Sequence, residues 1–219
     1  MGTHFVKPEF ILEKFKFKEN FKIPHIKDLN AEGVIDIYEG MRDFFPSYQY
    51  NDQATIVTPK LENILNKFDA LLLDAFGVLN VGPSIVPGII ETIDKARDKG
   101  ITLLVVTNGG GYNSYKKRDQ LSLMGLEFSN DEIISSREVA EIFLSYNKPE
   151  GPLGVMGNMG NNFLISDLHC IELEKDFSMF NEVNSFILLG TVEWDTVWQD
   201  MLFNSLNDKP RPLFVANPD

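Results

Sequence analysis

Leu71, Leu72 and Leu73 run without a polar interruption into Asp74, and Ala75, Phe76, Gly77, Val78 and Leu79 come next. A short continuous apolar run suits a central parallel strand, which is covered on both faces. A carboxylate at its carboxyl end stands where open α/β sheets bind ligands. An aspartate there also suits a turn, where it accepts backbone hydrogen bonds. The residues further along the chain turn the balance towards chemistry.

A loop holding Gly77, Gly82 and Pro83 leads to a helix opened by Pro87 and closed by Gly100, with Ile89, Ile90, Ile93 and Ala96 on one face. A second apolar strand, Ile101 to Val106, completes a right-handed βαβ unit. Asp74 and Thr107 thus end two parallel strands and face one crevice. Ser114 begins a helix that stops at Gly125; Ile133 and Ile134 form another apolar stretch, and a helix runs from about Ser136 to Tyr146.

Gly151, Pro152 and Gly154 then mark a boundary. Beyond it the pattern predicts a strand around Val155, a loop from Gly157 to Asn162 and a helix to about Leu168. A strand from Phe186 to Leu189, a helix from Trp194 to Leu206 and a strand from Leu213 to Ala216 complete a second, smaller α/β unit. On the N-terminal side, residues 1 to about 29 mix phenylalanines with lysines. Asn30 caps a predicted helix carrying Val34, Ile37, Tyr38, Met41 and Phe44, and Thr58-Pro59 opens another with Leu61, Ile64, Leu65 and Phe68 inward. Core packing is the expectation for both. The resulting division is an extension over 1–60, a core over 61–146 and a second unit over 147–219, which the family resemblance described below implies is a cap.

The 20 basic against 32 acidic residues leave a net charge of −12, which disfavours nucleic acid and anionic membranes as partners. An anionic substrate therefore needs a local positive charge, and a divalent cation is the natural source. No apolar run reaches the roughly 20 residues that span a bilayer, and the N-terminus lacks the order of a signal peptide, so a cytoplasmic protein is expected. The single cysteine, Cys170, reads as a buried structural thiol. Self-association is left open.

A carboxylate nucleophile needs an electrophile whose charge is already neutralised, and a phosphoryl group clamped by Mg²⁺ is the usual one. Thr107, Asn108 and the amides of Gly109, Gly110 and Gly111 lie where phosphate oxygens would find donors. The two strand ends, Asp74-Ala75-Phe76-Gly77-Val78 and Thr107-Asn108, resemble the first two motifs of the haloacid dehalogenase-like (HAD) phosphohydrolases, and in particular their subclass IIA-like sugar-phosphatase and nitrophenylphosphatase branch. The likeness covers about residues 68 to 219.

The resemblance implies a Rossmann-like parallel core sheet, incomplete in this chain, with an inserted α/β cap. It makes Asp74 the nucleophile and a Mg²⁺ ligand, the backbone carbonyl of Phe76 a second ligand, and Thr107, Asn108 and Gly109 the phosphate-binding group. The implied activity is hydrolysis of a small phosphorylated metabolite, such as a sugar phosphate, through an aspartyl-phosphate. Phe76 departs from the pattern, because active relatives carry there an aspartate that protonates the leaving oxygen. The family's third-motif lysine and fourth-motif acids are expected beyond Asp219. The alternative is a catalytically degenerate member that binds a phosphorylated ligand or partner without turnover.

Lys116, Lys117 and Arg118 read as a solvated helix face, as charge runs commonly do. Glu193 and Asp195 read as surface acids, with contact to substrate as the lesser alternative. A dinucleotide-binding fingerprint is excluded, because Gly77 and Gly82 have the wrong spacing for it.

Overall fold

The computed structural model describes residues 30–40, 42, 57–159, 163, 165 and 167–217. The chain divides into two compact units, Met1–Ile56 and Val57–Asp219. In the first, helix α1 (Ala31–Gly40) is capped as the sequence predicts, with Gly33 N donating to Asn30 Oδ1 at 2.8 Å. It buries none of its side chains, so the expected core face is not formed by Val34 and Tyr38; Met41 and Phe44 lie outside the described residues.

The second unit is α/β with parallel sheets, in agreement with the sequence. Residues Leu61–Lys67 form a 3₁₀ helix rather than the expected α-helix. With three residues per turn, Leu61 and Ile64 share a stripe that Leu65 does not, so only Leu65 is buried and Phe68 stays exposed. Strand β1 (Ala70–Leu73) leads into a hairpin of β2 (Asn80–Val81) and β3 (Ser84–Ile85), which the sequence pattern did not indicate. Its two-residue Gly82-Pro83 turn begins on a left-handed glycine, φ +56°.

Helix α2 (Ile89–Asp98) then crosses to β4 (Thr102–Thr107), and α3 (Ser114–Ser122) leads to β5 (Ile133–Ser135). The three strands are parallel in the order β1-β4-β5, with Leu73 beside Val105 and Val105 beside Ile133. Leu73, Leu103, Val105 and Ile133 pack beneath Ile89, Ile93 and Ala96 of α2 and beside Leu121. The other face of this sheet is open: Leu72 is 69% exposed, Val106 37% and Ile134 38%. The expectation of strands covered on both faces thus holds for one face only.

Helix α4 (Ser136–Tyr146) starts with a capping box between Ser135 and Glu138. Beyond it lies a second parallel sheet, of β6 (Leu153–Met156), β7 (Cys170–Glu172), β8 (Ser185–Leu188) and β9 (Leu213–Val215), in the order β7-β6-β8-β9. Alternation decides which face each side chain joins. Phe186 packs with Phe180 of α5 (Phe177–Glu182) and Leu202 of α6 (Thr196–Asp208); Ile187 packs on the other face with Leu144 of α4, Leu153 and Phe163.

The predicted helix ending near Leu168 is absent among the described residues. Ile165 and Leu168 instead form an antiparallel bridge around Asp167, which has φ +62°. Strand β7 and helix α5 have no counterpart in the sequence pattern. Cys170 opens β7 half-buried rather than fully buried, and desolvation pushes its thiol above the ordinary value.

Candidate active site

The register of β1 on β4 determines what can meet at the sheet edge. With Leu73 beside Val105, Asp74 and Thr107 leave neighbouring strands at the same end. Asp74 is exposed, and its Oδ1 accepts from the Ala75 amide at 2.7 Å. Ala75 is fully buried and its carbonyl accepts from both Leu79 N and Asn80 N, at 2.9 and 3.1 Å. Gly77, at φ +90°, lets its amide reach the Asn80 carbonyl at 2.8 Å. This tight turn holds the Phe76 ring outward, 67% exposed.

Thr107 is nearly buried, and its Oγ1 accepts from Gly109 N at 3.2 Å, so the hydroxyl proton remains available to a ligand while the Gly109 amide is engaged inside the loop. The Asn108 carbonyl accepts from Ser136 Oγ at 2.8 Å. The loop then presses against the second sheet. A Cβ on Gly110 would lie 2.3 Å from the Leu189 carbonyl oxygen, and the Gly111 carbonyl accepts from Met159 N at 2.9 Å. Gly157, at φ +71°, sits so close to Gly190 that a Cβ would come within 2.0 Å of its carbonyl oxygen.

Arg137 ties these pieces together. It is 1% exposed, donates through Nη1 to Asn158 Oδ1 at 2.8 Å and to the Gly111 carbonyl at 3.4 Å, and pairs through Nε with Glu141 at 3.1 Å. Its guanidinium stands 5.3 Å from the Phe163 ring centroid. The sequence reading missed this residue, although a signal was there: Arg137, Ala140 and Leu144 share one helical stripe, the apolar one.

A cavity of about 150 Å³ opens between the two sheets, lined by Thr107, Gly109, Gly110 and Gly111 on one side and by Gly190 and Asn217 on the other. Lys117 of α3 also lines it, half-buried. Desolvation pushes its ammonium below the ordinary lysine value, and the Asp74 carboxylate pulls it back up. The solvated face expected for the basic run is therefore correct for exposed Lys116 and for Arg118, which pairs with Asp119 at 2.7 Å, but wrong for Lys117. One face of a helix can be wet while its neighbour lines a cavity, and a run of consecutive charges spans both.

Of the two surface acids, Asp195 has a structural post. It caps α6 by accepting from Val197 N and Trp198 N at 3.0 and 3.1 Å, and it pairs with Lys175 at 2.6 Å. Glu193 lines a smaller crevice beside Gly157 and Trp194. Among the described residues no cluster of three or more His, Cys, Asp or Glu side chains could enclose a metal ion, and no helix is long and apolar enough to cross a membrane. Mg²⁺ does not need such a cage; it commonly keeps several waters and takes one or two carboxylates together with substrate phosphate oxygens. The exposed Asp74 carboxylate and the Phe76 carbonyl are compatible with that open mode.

Residues 71–169, which contain both strand ends, the glycine loop and Arg137, match the family model described as haloacid dehalogenase-like hydrolase. Over this region the chain is similar to the haloacid dehalogenase-like superfamily. This HAD-like chain is 33% identical over 103 residues to phosphoglycolate phosphatase 1A of Arabidopsis thaliana, covering 43% of this chain and 27% of that protein. It is 22% identical over 156 residues to the acid sugar phosphatase of Staphylococcus aureus strain USA300, covering 71% of this chain and 58% of the relative. A solved structure described as a "possible sugar phosphatase, HAD superfamily" from Cytophaga hutchinsonii superposes with a TM-score of 0.61 at 25% identity, over 73% of this chain and 58% of that one. The HAD-like chain thus spans 27% to 58% of the length of these relatives.

Proposed function

We propose that this chain acts in the hydrolysis of a small phosphorylated metabolite, such as a sugar phosphate, with Asp74 as nucleophile. An Asp74 oxygen attacks phosphorus, and the ester P–O bond breaks with its electron pair leaving on the alkoxide, which takes a proton from water. A second water then cleaves the aspartyl-phosphate, releasing inorganic phosphate and restoring the carboxylate. The Thr107 hydroxyl would donate to a phosphoryl oxygen, and Asn108 and Gly109 would keep the loop in shape around it. Mg²⁺ held by Asp74 and the Phe76 carbonyl would screen the negative charge of the phosphoryl oxygens.

The observation that carries this proposal is the departure of Asp74 and Thr107 from adjacent parallel strands at one end, beside a glycine loop in which Gly110 leaves no room for a side chain. The names of the two curated relatives reported above, both phosphatases, support the same chemistry. Phe76 favours a second reading, a member that binds a phosphorylated ligand without turnover, since a phenyl ring carries no proton to the leaving oxygen. Phosphate release from a panel of phosphate esters with Mg²⁺, compared between the wild-type chain and Asp74→Asn, tests the two. Release abolished by the substitution supports the hydrolase; release that Asp74→Asn leaves unchanged removes the nucleophile, and phosphate-ester binding without any release supports the second reading.

A further inference from the structure

The chain carries a net charge of −12, and a phosphomonoester brought to Asp74 adds a dianion beside a carboxylate. Some cation must meet it. Among the described residues that line the cavity next to Thr107 and the Gly109–Gly111 loop, Lys117 is the only charged one. The other basic groups nearby are committed or turned away: Arg137 to Glu141 and Asn158, Arg118 to Asp119, and Lys116 to solvent.

Lys117 itself has no ion-pair partner among the described residues. The Asp74 carboxylate acts on it from beyond contact distance. A half-buried ammonium without a counter-ion weakens the fold, since burial of an unpaired charge is unfavourable. Such a cost is understandable where a ligand supplies the missing charge. An ammonium offers three donors and no acceptor, which suits phosphoryl oxygens.

We infer that Lys117 receives the phosphoryl group of the substrate in the cavity beside Thr107, supplying from α3 a positive charge in addition to that of the Mg²⁺ proposed above. The inference rests on the function proposed above and adds to it a residue that neither strand-end motif contains.

The test is equilibrium binding of inorganic phosphate to the full chain, monitored by phosphorus NMR, for wild type, Lys117→Met, Lys117→Arg, Lys116→Met and Thr107→Val. Removing a hydrogen bond to a charged group corresponds to about a 10- to 100-fold loss of affinity, expected for Lys117→Met. Lys117→Arg should keep binding within a few-fold and Lys116→Met should match wild type. The melting temperature of Lys117→Met should equal or exceed that of wild type, because an unpaired half-buried charge has gone; a merely structural lysine would show the reverse. Should the methionine variant not fold, Lys117→Gln reads the same loss of charge. Wild-type affinity in Lys117→Met or Lys117→Gln, with Thr107→Val weakened, overturns the role of Lys117 and leaves the proposed function standing. No phosphate binding by wild type overturns both.

Discussion

Arg137 Nη1 donates to Asn158 Oδ1 at 2.8 Å, and so joins the helix after β5 to the loop after β6. The same guanidinium reaches the Gly111 carbonyl, so one buried side chain sets the spacing between the glycine loop and the second sheet. Replacing it by an apolar side chain leaves Asn158 and Glu141 without their donor. A buried polar group that loses its partner costs about 1–3 kcal/mol, and more where charge is involved. Arg137→Met should therefore lower the unfolding free energy by about 3 kcal/mol, read as a lower urea midpoint at unchanged slope. A shift of under about 1 kcal/mol would show that the guanidinium is not the clamp described.

The seam between the sheets admits no Cβ at its closest points. Gly157 combines φ +71° with a would-be contact of 2.0 Å to the Gly190 carbonyl oxygen, so alanine there is strained twice. Gly82 has φ +56° but open space around it. A left-handed alanine costs about 1–2 kcal/mol, and a forced backbone shift adds about 1–3 kcal/mol. Gly157→Ala is thus expected to destabilise by about 3–5 kcal/mol and Gly82→Ala by about 1 kcal/mol in the same denaturation series. Equal losses at the two positions would contradict the close approach.

On the function proposed above, Phe76 stands where a proton would be delivered, and general acid catalysis is commonly worth about 10² to 10⁴ in rate. Aryl phosphates, whose leaving groups need little protonation, should be hydrolysed faster than alkyl phosphates. Phe76→Asp should raise turnover of an alkyl phosphate by about tenfold or more while changing that of p-nitrophenyl phosphate little. Equal turnover of the two ester classes by the wild-type chain would contradict the role assigned to this position.

Asp195 gives a pH signature outside the site. Its hydrogen bond to Lys175, with the α6 amides of Trp198 and Val197, holds its carboxyl below the ordinary aspartate value. A carboxyl depressed in the folded state contributes stability that is present above the unfolded value, about 3.9, and is lost as pH falls through the folded one. Between about pH 6 and pH 3 the urea midpoint of wild type should therefore fall more steeply than that of Asp195→Asn. Parallel slopes would show that the cap and ion pair do not persist in solution.

Much of the architecture was legible because periodicity and punctuation agreed. Pro87 and Gly100 bracket α2, α4 runs from Ser136 to Tyr146 as read, and the apolar runs ending at Asp74 and Thr107 are parallel strands in register. Short elements escaped, since three residues such as Cys170–Glu172 or the six of Phe177–Glu182 carry no readable period. Tertiary contact decided the rest. Lys117 and Lys116 are neighbours in sequence, yet one lines a cavity and the other meets solvent. Gly157 and Gly190 look like ordinary loop glycines until their backbones are seen to touch. The open face of β1, β4 and β5 was likewise unreadable, because an apolar strand records what it could bury and not what covers it.

The central claim is that Asp74 takes up the phosphoryl group. The most direct measurement is mass spectrometry of the full chain, acid-quenched during turnover of p-nitrophenyl phosphate with Mg²⁺ and then digested. The expected result is a phosphate adduct on the peptide spanning Asp74, absent in Asp74→Asn, which should also release no phosphate. Phosphate release at the wild-type rate by Asp74→Asn, or an adduct on a different residue, would contradict the account.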